Sequence, residues 1–538
     1  MMDAVNQLPL WKSLQNDAVE IAEDRNHLNR LLEDKERLSW TTLAAAAIRF
    51  DFSRQRLTRP ILERLGALAR ERNVLGRFRA MASGEKVNTT EKRAALHLAC
   101  RDFSGGSVVV DGEDVMPRIA AVREKIRQFS EAVRSGQIGG ANGKSFRDIV
   151  VIGIGGSYLG TEFVAKALDA YAMPGYRLHF LSNVDPNQFG SIARTIDPEA
   201  TLWIVVSKSY TTAETLANES LARHFMKERG LDPAKHIVTV TAQGSPGDDP
   251  ANPVLASFHM FDFIGGRYSV SSAVGGVPLS IVLGYDVFER FLKGAEAMDR
   301  HALHTEEAGN IPLTAALLAI WNTNFLGYAA QGIIPYAAPL AKLAAHIQQL
   351  DMESNGKMVT LDGAFLEFDA GPILFGEPGT NAQHSFFQLA HQGRAFPIDF
   401  IGVLKPQYDV EPVLTKGVTN HEELWANLLS QVMALAVGSR QGEDPFRYFP
   451  GNRPSSLLVL PDLSPESVGK LLSFYEARTV FQAFIWGTNP FDQFGVELGK
   501  TMASAIRKAM VRKKENPQYA FEDVNPYERF YLKHLFGG

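Results

Sequence analysis

The sequence predicts an α/β protein with two largely parallel sheets flanked by helices. Short apolar runs of the buried-strand kind recur at 148–152, 178–181, 202–206, 237–241 and 260–263, with helix-periodic segments such as 215–227 between several of them. The same alternation returns after residue 310, with strand candidates at 333–334, 373–375, 398–401 and 457–460 separated by helices. A chain of 538 residues is also too long for a single hydrophobic core, so two or more domains are expected.

Residues 1 to about 110 read as helical. Leu28, Leu31, Leu32 and Leu38 mark one apolar stripe, and Ile61, Leu62, Leu65 and Leu68 mark another, entered at Pro60. Asn88 with Glu91 three residues on has the spacing of a capping box and predicts a helix carrying Arg93, Leu96 and His97. His97 is expected to pack and not to ligate. From Pro117 an amphipathic helix runs through Ile119, Val122, Ile126, Phe129 and Val133 and should stop near Gly136. Later helices are expected over 311–326, opened by Asn310, and over 465–486, capped by Ser464.

Hydrophobic residues make up 45% of the chain and charged residues 21%, the balance of a soluble globular protein. A formal net charge of −5 gives no general attraction to nucleic acid or to membranes. The basic cluster Arg507, Lys508, Arg512, Lys513 and Lys514 lies late in a helical pattern and is expected to be a solvated face. Cys100 is the one cysteine, so no intrachain disulfide can form, which fits a reducing compartment. The N-terminus lacks a signal pattern, and no apolar run approaches the ~20 residues needed to span a bilayer. The cytoplasm is the expected location.

Six stretches carry polar chemistry where a core is not expected. Residues 348–357 follow an apolar helix-forming run, 340–347, and contain Gln348, Gln349, Asp351, Glu353, Asn355 and Lys357. A helix end of that kind faces a cleft, though local pattern leaves Asp351, Glu353 and a plain cap open. Residues 153–160 join a strand to a helix through glycines, the shape of an anion cradle, or equally of a tight structural turn. A dinucleotide fingerprint would need glycine where Tyr158 stands, and a nucleotide P-loop would need Lys-Ser or Lys-Thr where Thr161 and Glu162 stand. Residues 207–212 bring Ser207, Lys208, Ser209, Thr211 and Thr212 to the end of a strand: many neutral donors and one cation, suited to a monophosphate or, more plainly, to an N-cap.

Arg267 follows Gly265 and Gly266, a placement that exposes a guanidinium for phosphate or an oxyanion, or simply for solvent. Residues 376–384 form a glycine-proline loop ending at His384, a residue type suited to proton shuttling. His391 lies seven positions on, but no close Cys or acidic third ligand accompanies the pair, so no metal is expected. Residues 489–500 end in Lys500 and, alone, read as a helix-to-helix turn.

Together, the segments 83–97, 152–160, 207–215, 265–269, 348–357, 376–393 and 489–500 resemble, in order, the glucose-6-phosphate isomerase (phosphoglucose isomerase) family. The resemblance implies two SIS-type αβα sandwich domains, an N-terminal helical region and a C-terminal helical arm. The corresponding boundaries are 1–115, 116–295, 296–500 and 501–538. It implies aldose–ketose isomerisation of a hexose 6-phosphate, without metal or other cofactor. Glu353 matches the glutamate that carries a proton between C1 and C2, and Arg267 the arginine beside the enediolate. His384 and Lys500 match the pair associated with ring opening and O5. Gly156 belongs to the matching glycine loop, Ser157, Ser207, Lys208, Ser209 and Thr212 match phosphate and sugar contacts, and Gln349 and Gln493 match polar pocket residues.

The resemblance also implies a homodimer in which His384 reaches the site of the partner chain, and it makes Asp351 part of the scaffold that aims Glu353. Its departures are Tyr158 for aspartate, Ser209 for threonine, Ala213 for glutamine, Leu350 for glycine and Phe494 for tryptophan, none of which removes a group with a chemical role. Rival expectations are an isomerase of another aldose phosphate such as mannose 6-phosphate, a non-catalytic sugar-phosphate-binding regulator, and a dinucleotide enzyme. Tyr158 speaks against the last of these.

Overall fold

The continuous apolar runs become buried parallel strands. The computed structural model describes residues 4–440 and 444–537. The strands of its two large sheets are β1 Thr42–Ala45, β2 Ile48–Asp51, β3 Asp148–Ile152, β4 Arg177–Leu181, β5 Thr201–Val206, β6 Ile237–Thr241, β7 Ala256–His259, β8 Ala330–Tyr336, β9 Ile373–Phe375, β10 Ile398–Val403 and β11 Ser455–Leu460. The first sheet has the order β4-β3-β5-β6-β7, every pair parallel. All residues of β3, β5 and β6 are buried, as expected where helices cover both faces. The second has the order β1-β2-β11-β10-β8-β9, parallel except for the β1–β2 hairpin, which adds antiparallel to β11. The α/β class read from the sequence is the one observed.

Three local expectations are corrected. The N-terminal region is not wholly helical, because residues 42–51 form the hairpin that extends the second sheet. Its turn uses Ala46 (φ 51°) and Ala47 (φ 62°), both left-handed, in a run of alanines that otherwise favours helix. The strand after β6 is Ala256–His259 and not 260–263. Phe261 and Phe263 stack on each other at 5.0 Å and pack with Leu96, Ala99 and Ile119, so their apolar character reports burial and not sheet pairing. Asn88 starts no helix: its side-chain amide donates to Glu91 Oε2 at 2.7 Å, and its backbone pairs with Arg93.

The chain divides into two units, Met1–Pro490 and Phe491–Gly538. In the first, the helix Pro465–Trp486 starts at Ser464, whose hydroxyl accepts from the Ser467 amide, and is buried along nearly its whole length. It touches the helix Tyr285–His304 backbone to backbone. A methyl on Gly469 would lie 2.0 Å from the Phe291 carbonyl oxygen, and one on Gly294 2.1 Å from that of Glu466. Arg101 bridges the same pair of helices, donating to Asp299 at 2.6 and 2.8 Å and to Glu476 at 2.5 Å, with all three side chains buried. In the second unit, Ala509, Phe521 and Leu532 form a small core between the helices Glu497–Glu515 and Pro526–Leu535. Arg507, Lys508 and Arg512 are exposed there, as expected of a solvated face.

Candidate active site

Loops leaving the carboxyl ends of β3, β5 and β7 are tied into one surface. The loop after β3 passes so close to the loop after β7 that a methyl on Gly156 would lie 2.2 Å from the carbonyl carbon of Gly266 and 2.6 Å from the Arg267 nitrogen. Only glycine permits that approach. The Ser269 hydroxyl reaches the carbonyls of Gly266 at 2.6 Å and Gly156 at 3.1 Å, fastening both loops. Ser157 is half-buried in the short turn Gly155–Ser157.

The loop after β5 is fastened by Lys208. Its ammonium donates to the carbonyls of Asp262 at 2.7 Å and Ile264 at 3.0 Å. Burial, reinforced by the positive charge of Arg93, pulls its pKa down to about 8. Tyr210 takes a left-handed backbone (φ 54°), and its buried phenol donates to Glu219 Oε2 at 2.7 Å. With Tyr210 turned inward, Ser209 and Thr211 are exposed and bond each other at 2.6 Å. Thr212 stands at the N-cap of the helix Ala213–Lys227 without making a side-chain cap bond, so its hydroxyl is not consumed by capping. The Ser207 hydroxyl is buried and has no protein partner. A buried hydroxyl in that state favours a ligand role over a purely capping one.

The second sheet contributes the segment that carries the carboxylates. The helix Leu343–Ile347 widens into the π-turn Gln348–Met352 and closes with the short helix Glu353–Asn355. Gln348 donates to the Leu374 carbonyl at 3.0 Å, tying this segment to β9, and the Gln349 amide packs over Gly155. Asp351 is 1% exposed and accepts from Thr479 Oγ1 at 3.3 Å. Burial raises its pKa against the opposing charge of Arg478. The Glu353 side chain is 22% exposed, with Oε2 3.5 Å from Arg267 Nη1. Burial thus separates the two carboxylates that spacing alone left equivalent: Asp351 is enclosed, and Glu353 is partly open to solvent.

Arg267 is 2% exposed and firmly held. Nε donates to Ser354 Oγ at 2.6 Å and Nη2 to the Pro490 carbonyl at 2.5 Å. Tyr268 Oη lies 2.9 Å from Ser354 Oγ. Tyr268, Ser354 and the carbonyls of Asp262, Ile264 and Pro490 are the parts of this site that sequence reasoning missed. Ser354 stands next to Glu353, but a serine in that place gives no pattern to distinguish it.

The structure brings Gly156, Gln349, Arg267 and Glu353 together and joins Lys208 to the Arg267 loop. It does not bring His384 to them. His384 ends the short helix Gly379–Gln383, is exposed, and makes no hydrogen bond or ion pair with Glu353. His391 points elsewhere, with Nε2 2.8 Å from Gln431 Oε1. Among the described residues no group of three His, Cys, Asp or Glu side chains could hold a metal ion. Gln493 and Lys500 belong to the second unit, where both are exposed and Lys500 lies in the first turn of Glu497–Glu515.

Comparison with known proteins gives concordant matches. The family model described as phosphoglucose isomerase matches residues 51–522. Glucose-6-phosphate isomerase of Desulfosudis oleivorans (strain DSM 6200 / JCM 39069 / Hxd3) is 62% identical over 537 residues, covering 99% of this chain and 98% of that one. The cytosolic A form from Oryza sativa subsp. japonica is 45% identical over 523 residues, covering 93% of this chain and 91% of its own length. The crystal structure of a glucose-6-phosphate isomerase from Chlamydia trachomatis D/UW-3/Cx superposes with a TM-score of 0.89 at 37% identity, covering 99% of both chains.

Proposed function

The chain belongs to the phosphoglucose isomerase family, and from that premise we propose which of its groups interconvert glucose 6-phosphate and fructose 6-phosphate. As an aldose–ketose isomerase of glycolysis and gluconeogenesis it moves a carbonyl between C1 and C2 of its substrate. Glu353 takes the proton alpha to the carbonyl and returns it to the adjacent carbon, so one carboxylate serves both half-reactions. The intermediate is a cis-enediolate. Arg267, held on two nitrogens, presents a fixed positive charge to the developing oxyanion without having to reorganise. The observation that carries this assignment is the pairing of a half-open carboxylate with a locked guanidinium 3.5 Å away.

Ser207, Ser209, Thr212 and the third N–H of Lys208 bind the phosphate, and Gly156 and Ser157 complete that wall. Binding there, remote from C1 and C2, orients the sugar over Glu353. Gln349 lines the pocket, and the family pattern assigns Gln493 to the same lining. His384, supplied by the partner subunit of a homodimer, opens the ring with Lys500 acting at O5. The exposure of His384, and an exposed apolar stretch that includes Tyr408, Val410, Val413 and Leu414, support a partner surface. The boundaries 115/116, 295/296 and 500/501 belong to the same proposal. So does a cytoplasmic location, supported by the cytosolic names of plant relatives. No helix among the described residues is long and apolar enough to cross a membrane.

The test is Glu353→Gln, which keeps shape and removes basicity. We expect kcat to fall by a factor of about 10³ or more, with inhibition by inorganic phosphate unchanged. Near-wild-type turnover in that variant would overturn the assignment. Turnover of mannose 6-phosphate under the same assay measures any second substrate.

A further inference from the structure

We infer that Ser354 is a positioning residue, whose buried hydroxyl sets the Arg267 guanidinium in register with Glu353. The inference rests on the roles assigned above to Glu353 and Arg267. Ser354 is fully buried, and its oxygen accepts from Arg267 Nε at 2.6 Å. Nη2 is held by the Pro490 carbonyl at 2.5 Å. A guanidinium is planar, so fixing two nitrogens fixes the direction of the third. That third nitrogen, Nη1, is the one that meets Glu353 Oε2 at 3.5 Å.

Tyr268 Oη lies 2.9 Å from Ser354 Oγ and 3.5 Å from the Pro490 carbonyl, so the phenol buttresses both groups that hold the guanidinium. Burial pushes the Tyr268 phenol up to about 12, so it keeps its proton at neutral pH. Ser354 also follows Glu353 directly on the short helix Glu353–Asn355. The base and the anchor of the electrophile therefore ride on one piece of backbone. Any displacement of that helix moves both together, and the spacing across the reacting carbons is preserved.

Removing the serine oxygen takes away the acceptor that Arg267 Nε meets at 2.6 Å, a costly loss in a buried place. The guanidinium then turns toward the acceptor beside it, the Glu353 carboxylate, and tightens a loose approach into an ion pair. That pair lowers the basicity of Glu353 and withdraws Nη1 from the substrate oxygen.

The experiment uses the full-length protein. It compares wild type, Ser354→Ala, Ser354→Cys, Arg267→Lys, Glu353→Gln and the Ser354→Ala/Arg267→Lys double variant in the fructose 6-phosphate to glucose 6-phosphate direction. Ser354→Ala should lose about 100-fold in kcat, the scale expected of an ångström-sized misplacement, while KM and inhibition by inorganic phosphate stay within about twofold. The acid limb of its kcat/KM profile should move down by about one pH unit. Ser354→Cys, which keeps the volume and a weak acceptor, should fall between. In the Arg267→Lys background the alanine substitution should cost little, because its effect passes through Arg267.

The inference fails if kcat changes by less than about threefold, if the loss appears in KM alone, or if the two substitutions multiply. Should Ser354→Ala not fold, the kcat and acid limb of Ser354→Cys decide the question by the same criteria. If Glu353→Gln turns over normally, the proposed site is wrong and this inference falls with it. If Glu353→Gln is dead and the serine variants are unimpaired, only this inference falls.

Discussion

Lys208 directs two of its three N–H groups to the carbonyls of Asp262 and Ile264, and its reduced pKa of about 8 has consequences of opposite sign for stability and for binding. The folded chain releases this proton more readily than an unfolded lysine with its usual value of 10.5, so protonation costs stability below pH 8 and that cost is relieved as pH rises through 8 toward 10.5. Binding goes the other way, because the neutral amine no longer attracts a phosphate dianion. KM should rise about tenfold between pH 7 and pH 9.5, and Lys208→Gln should show a raised, flat KM over the same range, measured by steady-state assay. Residue chemistry of this kind was only half legible in the sequence. The hydroxyl density of 207–212 announced an anion site, but not the two carbonyls that hold the lysine. Spacing could not separate Asp351 from Glu353; the family pattern chose Glu353, and burial distinguishes the two independently.

At the scale of elements, legibility follows how much a pattern depends on partners distant in sequence. Runs such as 148–152 and 237–241 are apolar throughout because both faces are covered, and they appear as strands with the expected limits. The helix Pro465–Trp486 likewise declares both ends, through the Ser464 cap and the left-handed Gly487 (φ 80°). The hairpin of β1 and β2 declares nothing. Its turn has alanines where Asn-Gly would be diagnostic, and its strands are set by pairing with β11, some four hundred positions away, where Phe50 faces Leu458. Each left-handed alanine carries strain of about 1 kcal/mol. Replacing Ala46 with Asn and Ala47 with Gly should therefore raise the unfolding free energy by about 1 kcal/mol, read as a shift in the urea midpoint, with activity unchanged. A lowered midpoint would mean that side-chain packing at the turn outweighs the backbone term.

For the whole molecule, the proposed homodimer makes a prediction that no single chain can make. If His384 serves the site of the partner subunit, Glu353→Gln and His384→Ala lie in the same site only when they are on different chains. Each variant alone should be nearly inactive. Unfolding and refolding a mixture of equal amounts should restore about a quarter of wild-type turnover, because half of the dimers are hybrids and each hybrid has one intact site. Light scattering should give twice the chain mass of 59.3 kDa, and absence of complementation would place His384 in the site of its own chain. The glycine contact between the helices Tyr285–His304 and Pro465–Trp486 bears on motion. Gly469 lies against the Phe291 carbonyl, Gly294 against that of Glu466, and Arg101 is clamped across the pair. A slide of one residue, about 1.5 Å, would drive a neighbouring side chain into a carbonyl. The pair is a strut and not a shear joint.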